Sequence, residues 1–162
     1  MDHNKAGASE QGNTAGTAET RYDCLRLENQ LCFPLYVCSK EIIRRYKPLL
    51  DELDLTYTQY ITMMALWEHR EMNVRTLGEC LFLDSGTLTP VLKKLEAKHY
   101  LRRIRSSRDE RNLIVSITKE GEKLRERALS VPEKMACCVR LTPEEAGDLY
   151  TLLYKVLGNL DG

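Results

Sequence analysis

Apolar residues recur at three- and four-residue steps along most of this chain, the spacing that gathers side chains on one face of an α-helix. The first such stripe is Leu27, Leu31, Leu35, Cys38 and Ile42, and it predicts a helix running to about Leu53. Pro34 interrupts the stripe. An internal proline removes a backbone bond and costs about 3 kcal/mol, so the helix either starts a few residues before Pro34 or bends there. Thr56 with Gln59 three residues on forms a capping box, in which each side chain satisfies an N–H of the first turn. It predicts a second helix with Tyr60, Met63, Met64 and Trp67 as its buried face. Asn73 caps a short third helix, Val74 to about Phe82, with Leu77 and Leu81 one turn apart. Asp84 or Ser85 caps a fourth, reaching about Lys98, which buries Leu88, Val91, Leu92 and Leu95 and turns Thr87, Thr89, Lys93 and Lys94 elsewhere. Propensity alone opposes this helix, because Gly86 and Pro90 fall in its first turns.

The period then changes. Tyr100 to Ile104 and Leu113 to Thr118 carry β-favouring residues on either side of a charged loop, Arg105 to Asn112, and predict a β-hairpin. Thr118 caps a fifth helix through about Met135, with Leu124, Ala128 and Val131 as its sparse apolar side. Thr142, Pro143 and Glu145 mark the start of the last helix, whose apolar face is Leu149, Leu152, Leu153, Val156, Leu157 and Leu160. The apolar faces of the first and last helices are wide for a domain with so small a centre. They are expected to pack across a two-fold axis in a homodimer. The simpler alternative is that they complete one monomeric core.

The fold class is therefore mainly α with a small β-hairpin. A chain of 162 residues with 43% apolar and 30% charged residues fits one soluble domain. Residues 1–22 read as a polar flexible tail and 23–162 as a single domain, with dimerisation helices at about 25–53 and 119–160 and a central core at about 55–118. The first twenty residues have no apolar run, so neither a secretory core nor a membrane span is expected, and the location read from this is cytoplasmic. In that compartment thiols stay reduced, which leaves Cys24, Cys32, Cys38, Cys80, Cys137 and Cys138 as free thiols. They contain no CxxC pair, and with three histidines no metal site and no cofactor are expected.

Net charge is zero, but it is unevenly spread. Between Lys93 and Arg111 eight cationic side chains face three acidic ones, an excess of five. A solvated helix face would explain it equally well. The order of elements favours double-stranded DNA. Three helices, two of them short and adjacent, followed at once by a basic hairpin, are the parts of a winged helix-turn-helix core, here with dimerisation helices at the N- and C-terminal ends. A major groove admits one α-helix, whose first turns reach base edges with short polar groups. Asp84, Ser85, Thr87 and Thr89 are such groups, and Lys93, Lys94, Arg102 and Arg103 are expected on phosphates. Arg108 and Arg111 on the hairpin tip suit the negative potential of a minor groove.

Two stretches, LDSGTLTPVLKKLE from Leu83 to Glu96 and RDERNLIVSITKEG from Arg108 to Gly121, resemble the recognition helix and wing of the MarR family of transcription regulators. The resemblance implies that Asp109 braces Arg111, which contacts DNA. ENQLCFPLYVCSK from Glu28 to Lys40 and YKPLLDELDLTYTQY from Tyr46 to Tyr60 are similar to the organic-hydroperoxide-sensing OhrR branch, so the likeness covers nearly everything after Leu27. That branch implies a reactive thiol at Cys32, assisted by the hydroxyls of Tyr46 and Tyr57, and a resolving thiol at Cys137 from the other subunit, with Cys138 as an adjacent competitor. The chemistry needs a thiolate, which hydrogen-bond donors or a helix N-terminus favour. Attack on an organic hydroperoxide gives a sulfenic acid that a second thiol converts to a disulfide. Without the resemblance, Cys32 reads as a small buried apolar residue. Cys24, Cys38 and Cys80 are expected to be structural.

The implied protein is not an enzyme but a homodimeric repressor that leaves a palindromic operator on oxidation, its half-sites about 34 to 36 Å apart. One rival is a MarR-type repressor released by a small phenolic or hydrophobic ligand, its cysteines passive. A thiol peroxidase would share the Cys32 chemistry but leave the recognition helix and basic hairpin without a role. A plain dimerisation module would leave the wing unused.

Overall fold

A computed structural model describes residues 21–105 and 113–160, the side chain of Arg105 excepted. Two 3-10 turns, Asp23–Leu25 and Leu27–Asn29, lead into the α-helix α1, Cys32–Asp51. The chain divides into two compact units within α1, between Glu41 and Ile42. In the first unit no described residue is buried, and Leu27, Leu31 and Leu35 of the apolar stripe are exposed. The helix expected from about residue 25 begins only at Cys32. Pro34 is thus its third residue, where a missing N–H has no intrahelical partner to lose, so it neither breaks nor bends the helix. Pro48, which the apolar pattern does not flag, is the proline inside α1.

The second unit holds the core. Helix α2, Tyr57–His69, opens on the foreseen capping box: Thr56 Oγ1 accepts from the Gln59 N–H at 3.3 Å, and the Thr56 N–H donates to Gln59 Oε1 at 3.0 Å. Its buried arc centres on Met63 and Leu66, so Met64, expected inside, falls past the edge and is 46% exposed. Strand β1, Glu71–Asn73, follows, then α3, Val74–Leu81, and α4, Ser85–Ala97. Strands β2, Leu101–Arg105, and β3, Leu113–Ile117, form the expected hairpin, and β1 adds to β3 to give an antiparallel sheet in the order β1-β3-β2. The fifth helix of the sequence reading is two helices, α5, Lys119–Ala128, and α6, Ser130–Val139. Pro132 explains the division, since it has no N–H to offer the Ala128 carbonyl. Helix α7, Pro143–Leu160, starts at its capping box, with the Thr142 N–H on Glu145 Oε2 at 2.9 Å, and buries no residue.

Among the described residues, Leu50, Met63, Leu66, Leu77, Leu88, Leu92, Leu95, Leu101, Val115 and Leu124 are the largest fully enclosed apolar side chains, so α1 to α5 and the sheet share one core. The end of β3 is fastened to it. Trp67 Nε1 donates to the Gly121 carbonyl at 2.8 Å, the Thr118 N–H donates to the Tyr100 carbonyl at 3.1 Å, and the Thr118 hydroxyl donates to the His99 carbonyl at 2.5 Å. Gly121 is required there, because a Cβ would stand 2.1 Å from the Tyr100 carbonyl oxygen. Among the described residues, five with side chains hold a positive φ at or just beyond helix ends: Asp54, Arg70, Phe82, His99 and Arg140.

Candidate nucleic-acid interface and thiol sites

Helix α4 is aimed by the turn before it. Phe82 adopts φ 53° and closes α3, and the Leu83 N–H returns to the Gly78 carbonyl at 2.9 Å. The approach is so close that a Cβ on Gly78 would lie 2.8 Å from the Leu83 carbonyl oxygen. Asp84 then caps α4, Oδ1 accepting from the Thr87 N–H at 2.9 Å and Oδ2 from the Thr87 hydroxyl at 2.7 Å. The Thr87 hydroxyl and, after it, the Thr87 amide hold the Asp84 carboxyl below its ordinary pKa. Asp84 is therefore the acceptor that starts the helix.

The expected reading residues are all exposed on α4. Ser85, Thr89 and Lys93 follow one another at four-residue steps and form one row. The Thr89 hydroxyl donates to the Ser85 carbonyl at 2.7 Å, so Thr89, like Thr87, has already placed its proton and offers a base edge only lone pairs. Lys93 and Lys94 have no ion pair among the described residues. An open groove of about 760 Å³ runs past Asn73, Arg75, Gly78, Phe82 and Ser85 to Leu113 at the start of β3. Arg75, on the groove rim and paired with Glu79 at 3.0 Å, is a cation that the apolar pattern did not single out. Arg108, Asp109 and Arg111 lie outside the described residues.

Two expected phosphate contacts are otherwise engaged. Arg103 is bound to Glu96 through Nε at 2.8 Å and Nη2 at 2.5 Å, so part of its guanidinium already has an acidic partner. That pairing, with the Arg103 guanidinium first, lowers the Glu96 carboxyl pKa. Arg102 places Nε on the Ser116 hydroxyl at 2.9 Å, since the two residues are directly opposite in the β2·β3 register.

All six cysteines are free and exposed. That removes the structural role expected for Cys24, Cys38 and Cys80, and the buried reading of Cys32, within one chain. Cys32 is the first residue of α1 and belongs to the first unit, while Tyr46, Tyr57 and Cys137 belong to the second. Tyr46 and Tyr57 are brought together, ring centroids 5.1 Å apart, and Tyr46 lies 5.9 Å from Tyr60. Burial, and next the neighbouring Tyr57, raises the Tyr46 pKa, so its phenol stays a neutral hydrogen-bond donor. Cys137 and Cys138 occupy the last turn of α6. A smaller apolar cavity of about 270 Å³ is lined by Ile43, Lys47, Leu50, Leu55 and Tyr57. Among the described residues no cluster of metal-ligating side chains occurs, and no helix is long and apolar enough to cross a membrane.

Residues 44–127 match the family model of the transcriptional regulator SarA/Rot. The chain is 44% identical over 142 residues to the organic hydroperoxide resistance transcriptional regulator of Bacillus subtilis (strain 168), spanning 88% of this chain and 97% of that one. Among solved structures, reduced AbfR bound to DNA, AbfR being a protein of Staphylococcus epidermidis, is 33% identical with a TM-score of 0.71 over 88% of this chain and 99% of its own. A MarR mutant from E. coli complexed with operator DNA is 24% identical and shares the fold, with a TM-score of 0.68 over 78% and 93% of the two chains.

Proposed function

The chain belongs to the SarA/Rot family of transcriptional regulators and has the winged helix-turn-helix fold of MarR-type proteins, and from that premise we propose that it is a homodimeric repressor released from its operator when an organic hydroperoxide oxidises Cys32. Helix α4 enters the major groove with Ser85, Thr87 and Thr89 toward base edges and Lys93 and Lys94 on phosphates. The wing takes the adjacent minor groove. The end helices, α1 with α5 to α7, join two copies, so that two reading heads meet a palindrome about one helical turn apart. No catalytic turnover is assigned to the chain, because the recognition helix and basic wing would have no role in consuming peroxide.

The observation that carries the reading is an exposed thiol opening α1 in a chain so similar to a hydroperoxide-resistance regulator. The Cys32 thiolate attacks the terminal oxygen-oxygen bond of ROOH, the distal oxygen stays on sulfur as the sulfenic acid, and the alkoxide leaves as ROH after taking a proton. The Tyr46 and Tyr57 hydroxyls are the donors assigned to the sulfur in the assembled dimer. Condensation with the Cys137 thiol of the second copy releases water and forms a disulfide. The heads then lose their common register on the DNA.

Anisotropy of the reduced protein on a labelled duplex from its own upstream region tests this, before and after one equivalent of cumene hydroperoxide. Binding is expected to be lost and then restored by dithiothreitol, and Cys32→Ser is expected to bind and ignore the oxidant. Parent protein that holds its operator through oxidation removes the sensor reading and leaves the DNA-binding one. The small apolar cavity beside Tyr57 favours one rival, release by a phenolic ligand. Under that rival salicylate, and not peroxide, dissociates the parent and Cys32→Ser alike.

A further inference from the structure

Glu96, in the last turn of α4, accepts three hydrogen bonds from one residue of β2: from the Arg103 main-chain N–H at 2.9 Å, from Nε at 2.8 Å and from Nη2 at 2.5 Å. Both side chains are half-buried, Arg103 at 24% and Glu96 at 35% exposure. Oε2 accepts both guanidinium bonds and Oε1 the main-chain one, so the carboxylate is held to the strand at both its oxygens. The main-chain bond fits the sheet order, because β2 is an edge strand and the Arg103 N–H lies on its open side. Elsewhere the junction is tied at its turn, by Lys98 to Asp54 and by Thr118 to His99. The Glu96 carboxylate reaches past that turn into the body of the strand.

We infer that Glu96 is a positioning residue of the DNA interface, setting through Arg103 the angle between the groove-reading helix α4 and the wing strand β2. Helix and wing must meet one duplex at two places at once, so an error in their mutual angle is multiplied along the wing and lost as contact at its far end. Glu96 itself touches no DNA. It acts by making two separately folded elements into one rigid reader. The inference rests on the reading of the chain as a DNA-binding regulator.

The test is a thermodynamic cycle between protein and duplex. Parent, Glu96→Ala, Glu96→Gln and Arg103→Lys proteins are titrated, reduced, onto two duplexes: the footprinted operator with its flanks, and the same operator cut back to the major-groove half-sites. Trimming is expected to weaken the parent about tenfold and Glu96→Ala less than about twofold, because the variant no longer places the wing on the flank. Glu96→Gln and Arg103→Lys, which keep part of the pairing, are expected to fall between. Equal weakening of Glu96→Ala on both duplexes marks a role in stability alone and overturns the inference. So does a parent-like response by all three variants. Should Glu96→Ala fail to fold, the two milder variants decide by the same comparison. A parent that binds neither duplex in preference to random sequence overturns the DNA-binding reading itself.

Discussion

Helices α2 and α7 begin alike and end in opposite surroundings. Thr56 with Gln59 and Thr142 with Glu145 make the same capping box. Yet α2 buries Tyr60, Met63, Leu66 and Trp67, whereas α7, with Leu149, Leu152, Leu153 and Leu157 in an apolar row, buries nothing. Capping decides where a helix starts, and the surroundings of its face decide whether a single chain is enough to keep it. The reading head is complete alone. Among the described residues nothing buries the apolar face of α7, which is what an element completed by a second copy looks like.

The contrast is sharpest in matched truncations. Leu66→Ala, in the closed core, is expected to cost about 2–5 kcal/mol at every protein concentration, read by urea denaturation. Leu152, 59% exposed, has nothing comparable to lose in one chain. Leu152→Ala is expected instead to weaken self-association about tenfold, read by sedimentation equilibrium. An unchanged dimer, with a stability loss independent of concentration, would break the comparison. Next come the caps. Thr56→Ala and Thr142→Ala each remove one cap worth about 1 kcal/mol. The first is expected in global unfolding and the second in hydrogen exchange confined to the first turn of α7, since local openings report only their own segment. The smallest effect is alkaline. Burial raises Tyr46 and Tyr60 above 10.0, so the fold favours their neutral forms. Their contribution is whole below the ordinary tyrosine value and is lost as pH rises through the raised one. Titration by ultraviolet absorbance is expected to show Tyr46 and Tyr60 as late phenols, beside Tyr150, which its hydrogen bond with Tyr154 also raises, together with falling stability, and ordinary titration of all eight tyrosines would contradict it.

Local signals were legible in the sequence, and signals across distance were not. Thr56, Asn73, Asp84, Thr118 and Thr142 cap the helices assigned to them because a cap depends on residues two or three apart. Strand β1 has three residues and no period, and it exists because β3 offers it an edge. Glu96 inside a basic run reads as a passing counter-charge until the fold puts Arg103 against it. Met64 was misplaced by its neighbours' spacing, and the division at Leu129 needed Pro132 to be read as a stop. For the thiols, composition suggested burial and the fold exposes them, so their assignment owes more to resemblance than to pattern.

The positive-φ residues at the helix ends bear on how this protein can change. Asp54, Arg70, Phe82, His99 and Arg140 each hold a side chain in a conformation that disfavours one by about 1 kcal/mol or more and that glycine adopts freely. Selection has therefore not driven these positions to their most stable residue. Arg140, on neither the core nor the α4 face, is where an engineer seeking a hardier variant would start with glycine or asparagine, because the added stability leaves the reading surface as it is.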